Sequence, residues 1–228
     1  MRLLSIDKEI NHPTLNIDTI KASNIADILA FNNYDYIMIH GGDGGLRRVL
    51  KQFTALDSLP PIILNPTGSF NVIAKMHKVP KLEILLQELE RGKLPKTQKQ
   101  NIYKLNDEIF LFSAGNMGDL QHIFLSETLR FGILEKGISK YALSLLFLFP
   151  IHLFITPFML LSKRRFFIFT PFGFIKKFGS FYGKVEETTI QLENGHNLIE
   201  LDGDVVTIEE SRLSIQKLRT ISIVSTKE

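Results

Sequence analysis

The chain has 228 residues, 44% of them hydrophobic and 22% charged, enough for one large or two small domains with ordinary cores. A net charge of +3 and a pI near 9.0 are too small to argue for nucleic acid; they allow at most a mild attraction to anionic surfaces such as phospholipid headgroups. The absence of cysteine excludes disulfides, thiolate metal sites and cysteine nucleophiles, and with no apolar run at the N-terminus suited to a secretory signal a cytoplasmic protein is expected.

In chain order, residues 3–6 read as a short strand, and Ser23 or Asn24 can cap a helix carrying Ile25, Ile28 and Leu29 on one face. The turn NNYD leads to YIMI at 36–39, an apolar run suited to a buried parallel strand. GGDGG follows at 41–45. Leu46, Val49, Leu50 and Phe53 then recur at helical spacing, with Arg47, Arg48 and Lys51 expected outward. Pro60 and Pro61 close that unit. Residues 62–64 form a second buried strand, NPTGS at 65–69 a second turn, and Phe70, Ile73, Ala74 and His77 begin another helix. Leu82, Leu85, Leu86 and Leu89 make a further apolar stripe, stopped by Gly92. Repeated strand–turn–helix units predict a parallel sheet with helices on its faces.

The pattern changes over the polar residues 92–99. Two domains are expected, 1–97 and 98–228, with the last strand free to return to the first domain. Asn106-Asp107 is a hairpin signal between strands at 101–105 and 108–113. A helical region is expected from about 126 to 161. Strands follow at 165–169, at 188–192 joined through Asn194-Gly195 to 198–201, at 212–215 and at 221–224. The second part therefore reads as a mainly antiparallel β-sandwich with a helical insertion. Within that insertion, ALSLLFLFPIHLFITPFMLL at 142–161 has no formal charge and the length to cross a bilayer. Pro150, Pro157 and His152, with basic flanks at Lys140 and at Lys163, Arg164 and Arg165, weigh against a span. A broken buried helix pair, an interfacial segment and a span all stay open at this point.

In open α/β sheets, ligands sit beyond the carboxyl ends of the strands, where a helix N-terminus offers N–H groups. Residues 40–45 and 65–69 occupy two such places, and glycine there lets backbone amides approach a phosphate. Ser69 can add a hydroxyl and Asn71 an amide. Asp43 is the informative exception. A bare carboxylate repels phosphate by about 4 kcal/mol at 4 Å with an effective dielectric of 20, so it needs a bridging cation such as Mg2+ or a role at the attacking hydroxyl. The Rossmann fingerprint fails, because Arg47 stands where its third glycine belongs. Asp202-Gly203-Asp204, taken locally, is best read as a β-turn between strands.

IHGGDGGLRRVL followed by IILNPTGSFNVIAKMHKVP resembles the diacylglycerol kinase catalytic-domain family, the bacterial lipid-kinase branch of a superfamily that includes NAD kinases. Gly41, Gly42, Asp43 and Gly44 match its GGDGT turn, with Gly45 for threonine. Pro66, Gly68, Ser69, Asn71 and Ala74 match its second segment, with serine for threonine. AGNMGDLQ at 114–121 is similar to the family's later glycine–acid segment, and LDGDVV at 201–206 to its Asp-Gly-Glu motif, with Asp204 for glutamate. The likeness covers most of the chain from about Tyr34 onward.

The resemblance implies an α/β nucleotide-binding domain followed by a β-rich lipid-substrate domain, with ATP and Mg2+ as cofactors. It implies a phosphotransferase with an alcohol acceptor, a kinase of a diacylglycerol-like lipid. Gly41, Gly42, Gly44, Gly45, Gly68, Ser69 and Asn71 would hold nucleotide, joined by Asp204 near nucleotide or metal. Asp43 would organise phosphate and metal, and Asp202 would be the general base; no metal ligand set and no oligomeric state is read. Both acids would then face one phosphate, which a membrane span between them would forbid. Peripheral contact with the inner face of the membrane is compatible, and Lys163, Arg164, Arg165, Lys176 and Lys177 among many phenylalanines suit such a surface. The short N-terminus, with Asn11 and Pro13 as a remnant of the family's first turn, and the departures at Gly45 and Val72 thin the nucleotide site. A NAD kinase-like enzyme and a noncatalytic lipid- or nucleotide-binding relative therefore remain as alternatives. An RNA binder using KKFGSFYGK is disfavoured, because that segment lacks the glycine the RNP1 pattern needs.

Overall fold

Two short apolar runs, YIMI at 36–39 and IIL at 62–64, set the centre of the first sheet, because each is too brief for a helix and leads into a turn bearing glycine or proline. The computed structural model describes residues 1–27, 31–56, 58–116, 161 and 164–226. Its contacts divide the chain into two units, residues 1–103 with 218–228, and residues 104–217.

In the first unit, β1 (Arg2–Ile6), β2 (Asn16–Ile20), β3 (Tyr36–Gly41) and β4 (Ile62–Pro66) are parallel in the order β2-β1-β3-β4. The register sets Ile6 beside Ile39, Ile39 beside Leu64, and His40 beside Asn65. The helices are α1 (Asp43–Gln52), α2 (Val72–Met76) and α3 (Leu82–Glu90). Strand alternation sends Leu3, Met38 and Ile63 to one face, where they pack with Leu85, Leu86 and Leu89 of α3. Gly92, at φ +75°, ends that helix, its amide bonded to the Leu89 carbonyl at 3.0 Å, as the apolar stripe foretells. On α1, Leu46, Val49 and Leu50 are buried as expected. Arg47 is buried too, which corrects its outward placement: it lies one residue past Leu46 and three before Leu50, inside the packed stripe.

Thr97–Leu105 is β5, and Asn106-Asp107, with Asn106 at φ +49°, turns it into β6 (Glu108–Phe110). In the second unit, β7 (Ser113–Gly115), β8 (Phe167–Phe169), β9 (Phe181–Tyr182), β11 (Asn197–Leu201) and β12 (Asp204–Ile208) form one sheet in the order β12-β11-β7-β8-β9. Every neighbouring pair is antiparallel except β8 with β9. β10 (Thr188–Gln191) pairs instead with the start of β13 (Arg212–Val224). Residues on either side of Asn194-Gly195 thus enter different pairings, so the hairpin expected there is absent: the Leu192 amide continues the β13 partnership through the Ser211 carbonyl at 2.7 Å. β13 is one strand where two were expected, and its far end returns to the first unit, with Ile223 parallel to Ile62.

The α/β-plus-β fold class is as expected. The helical region at 126–160 and most of the apolar run at 142–161 lie outside the described residues, as do Ile28, Leu29, Lys140 and Lys163. Among the described residues, no helix is long and apolar enough to cross a membrane.

Candidate functional site

The strand order reverses direction at β1. The chain moves outward from β1 to β2 and then inward to β3, so the crevice between the ends of β1 and β3 is a topological switch point, where open α/β sheets bind ligands. Three polar side chains cross these strand ends. Asn65 donates to His40 Nδ1 at 2.9 Å, His40 Nε2 lies 3.0 Å from Ser5 Oγ, and Ser5 Oγ donates to the Lys8 carbonyl. This pattern assigns the hydrogen to Nε2 of a neutral ring. Burial, and then the charge of Lys8, hold the His40 pKa below its ordinary value, which keeps the ring neutral. Sequence reasoning gave Ser5 and His40 no role; their only signal is the register that sets polar residues side by side at the strand ends.

The two glycine turns meet backbone to backbone. Gly41 ends β3 at φ +144°, which a side chain would strain, and its carbonyl accepts the Thr67 amide at 3.1 Å. A Cβ on Gly68 would lie 2.6 Å from Gly42 Cα and 2.8 Å from Asn71 Oδ1; a Cβ on Gly42 would lie 3.1 Å from Gly68 Cα. The Asp43 carboxylate ties the turns together: Oδ2 accepts the Val72 amide at 2.7 Å and Oδ1 the Ile73 amide at 3.0 Å. Asn71, left-handed at φ +47°, folds its side chain onto its own turn, Oδ1 accepting the Gly68 amide at 3.0 Å and Nδ2 donating to the Gly68 carbonyl at 2.6 Å. Ser69 is exposed beside it. The first intrahelical bond of α1 runs from the Leu46 amide to the Gly42 carbonyl, so the amides of Asp43, Gly44 and Gly45 at the positive helix end precede any intrahelical acceptor. A narrow cleft lined by Gly41, Gly42, Asp43, Pro66 and Asn71 opens at this junction.

Within the first unit, the structure thus gathers Gly41, Gly42, Asp43, Gly44, Gly45, Gly68, Ser69 and Asn71 around one loop pair. No group of three or more metal-ligating side chains occurs among the described residues. A Mg2+ that arrives on a nucleotide needs only one or two carboxylates besides phosphate and water, and each Asp43 oxygen has spent one of its two lone pairs. The residues present therefore fit that ion.

Asp202 and Asp204 belong to the second unit. Asp202 (φ +52°) and Gly203 (φ +90°) form a two-residue turn with Leu201 paired to Asp204, which is the local β-turn reading. The Asp202 carboxylate is 3% exposed and accepts the amides of Leu111 at 2.7 Å, Phe112 at 2.9 Å and Ser113 at 3.0 Å. Burial pushes its pKa up to about 7 against the pull of those three amides, with the charge of Glu200 adding to the rise. Glu200 itself accepts the Ser113 hydroxyl at 3.1 Å and the Gly203 amide. Asp204 is partly exposed at the start of β12.

This geometry makes a test. The folded carboxyl holds its proton to about pH 7 and the unfolded one to about 3.8, so wild-type stability is fullest below the lower value and falls as pH rises toward the upper. Asp202→Asn should remove that slope. It should also lower stability by about 1–3 kcal/mol, since a donor then faces an amide. Thermal unfolding of both proteins at about pH 5 and about pH 8 measures the two effects together.

Residues 7–101 match the diacylglycerol kinase catalytic domain. The resemblance drawn from the two glycine turns is borne out. The match begins well before Tyr34, taking in the loop after β1, and stops before the second unit, so the later motifs lie outside it. A protein of Streptococcus pneumoniae serotype 4 described as "Putative lipid kinase" is 27% identical over 124 residues, which are 53% of this chain and 41% of that protein. The chain thus spans about two fifths of the curated relative it matches. A crystal structure of a diacylglycerol kinase from Bacillus anthracis strain Sterne aligns over 99% of this chain and 97% of its own at a TM-score of 0.56 and 13% identity, which shows a common fold. The kinase and nucleotide-binding character expected from the turns agrees with this diacylglycerol kinase-like family.

Proposed function

We propose that the chain is an ATP-dependent lipid kinase, a phosphotransferase that moves the γ-phosphoryl group to the hydroxyl of a diacylglycerol-like lipid. The observation that carries this reading is the pair of glycine turns packed at the ends of adjacent parallel strands, with the first-turn amides of α1 beside them. Gly41, Gly42, Gly44 and Gly68 keep the backbone bare for phosphate oxygens, Gly45 offers its amide from a position where a Cβ would meet nothing within 4 Å, and Ser69 offers a hydroxyl. Asp43 and Asn71 act chiefly by holding the turns in register. When bound, Mg2+ would neutralise the charge on the transferred group, with Asp43 as its protein ligand, directly or through water.

In the reaction, the bond between the γ-phosphorus and the β–γ bridging oxygen breaks, the lipid oxygen bonds to phosphorus, and the hydroxyl proton passes to a base. Asp202 is the candidate base: a carboxyl titrating near 7 matches that task, provided the lipid hydroxyl exchanges with one of the three amides that surround it. Asp204 is the candidate second acid of that turn, near nucleotide or metal. A kinase of this kind works in the cytoplasm at the inner face of the membrane, where its acceptor lies.

The test is transfer from labelled ATP, with Mg2+, to diacylglycerol, a sphingoid base and NAD in parallel. Label in phosphatidic acid is the expected result. Label in NADP would make the chain a NAD kinase-like enzyme, and ATP binding without any labelled product would make it a noncatalytic relative.

A further inference from the structure

Residues 171–184, PFGFIKKFGSFYGK, contain four phenylalanines and three lysines and no acid. We propose that this turn of the second unit is a docking surface for an anionic phospholipid bilayer, an inference that rests on the lipid-kinase reading above. Phe174 is 83% exposed, Phe178 66% and Phe172 46%. One exposed phenylalanine is ordinary; three within residues 172–178 form an apolar patch that water alone does not favour.

The exposure is built into the backbone. The Ile175 amide bonds the Phe172 carbonyl at 2.9 Å and the Lys184 amide bonds the Ile175 carbonyl at 3.0 Å, while Phe178 and Phe181 exchange two bonds of 2.9 Å. Gly183 lies beneath the turn, where a Cβ would stand 2.1 Å from the Phe172 carbonyl oxygen and 2.5 Å from that of Ile175, so nothing larger fits under it. Ring contacts lead from the sheet outward, from Phe169 to Phe172 at 5.2 Å between centroids and from Phe172 to Phe174 at 5.7 Å. The outer rings are therefore held in water by a well-bonded turn.

Charge selects the occupant. Lys176 and Lys177 fall between the two most exposed rings in sequence, and Lys177 lies 4.8 Å over the Tyr182 ring. Lys184 is occupied by Glu186 at 2.9 Å. An interface between protein chains is depleted in lysine at its centre. A bilayer surface takes aromatic rings at the headgroup level and lysine against anionic phosphate together.

The experiment is sedimentation of the whole chain, without ATP, with vesicles of phosphatidylcholine alone and of phosphatidylcholine mixed with phosphatidylglycerol. Wild type should pellet with the anionic vesicles and release as salt rises. Phe174→Ser with Phe178→Ser should reduce partition about tenfold or more at an unchanged Tm, and Lys176→Glu with Lys177→Glu should remove the preference for the anionic lipid. Wild type left in the supernatant, or a phenylalanine variant that pellets like wild type, would overturn the proposal. So would a dimer abolished by that variant without vesicle binding, which would give the patch to a second copy of the chain. Transfer to diacylglycerol dissolved in detergent micelles is read separately, and the docking variants should retain it. Vesicle binding without turnover on any acceptor keeps the docking surface and overturns the kinase reading. Micellar turnover without vesicle binding does the reverse.

Discussion

Asp43→Asn is expected to reduce phosphoryl transfer by about 100-fold or more, because the variant loosens the junction that holds the two glycine turns together. The wild-type carboxylate accepts two amides, from Val72 and Ile73, at the start of the helix that follows the second turn. Asparagine keeps one acceptor and points an NH2 group at the other amide. Leaving that amide without an acceptor costs about 1–3 kcal/mol, and α2 must shift or fray to relieve it. The same change removes a charge available to Mg2+. Steady-state kinetics and thermal unfolding divide these contributions. A raised KM for ATP with kcat preserved would limit Asp43 to clamping the turns, and full turnover would remove it from the mechanism.

Gly68→Ala is expected to separate the two turns. The new methyl would stand 2.6 Å from Gly42 Cα and 2.8 Å from Asn71 Oδ1, and the first of these is backbone fixed at the N-cap of α1. Overpacking of this kind costs about 1–3 kcal/mol, and ATP affinity should fall about tenfold or more as the amides of one turn lose register with those of the other. Gly45→Ala is the matched control. A Cβ there meets nothing within 4 Å, and the residue lies in the first turn of α1, so the change should be neutral or stabilise by about 0.5–1 kcal/mol. Calorimetric ATP binding on the two variants checks the contrast; equal affinity would mean that the turns do not act as one site.

The strands at 36–39 and 62–64 and both glycine turns were legible because each signal is local: an apolar run, then residues that release the backbone. β2 was missed because NIDTI alternates without an apolar run, and a half-exposed edge strand needs none. Arg47 was placed outward by its charge, although helical position put it in the buried stripe. Asn194-Gly195 looked like a hairpin because turn chemistry is written in two residues, whereas the partners of β10 and β11 are fixed by strands elsewhere in the chain. The candidate site divides in the same way. The glycines announce themselves, but the contact of Gly42 with Gly68, the grip of Asp43 on α2 and the three amides around Asp202 join residues from about 26 to about 90 positions apart. Carbon and carboxylate partners at such separations leave no periodicity to read.

The long final strand constrains how the molecule is made. Arg212 begins it in the second unit, yet Ile223 lies beside Ile62 and the Ser225 hydroxyl reaches the His77 carbonyl, so the first unit draws its fifth parallel strand from the far end of the chain. A ribosome delivers residues 1–103 first, but in that half β4 has β3 on one side and no strand on the other until residue 223 emerges. The half that carries the glycine turns is thus begun early and finished late, and a fragment cut at its apparent boundary would expose an open sheet edge prone to self-pairing.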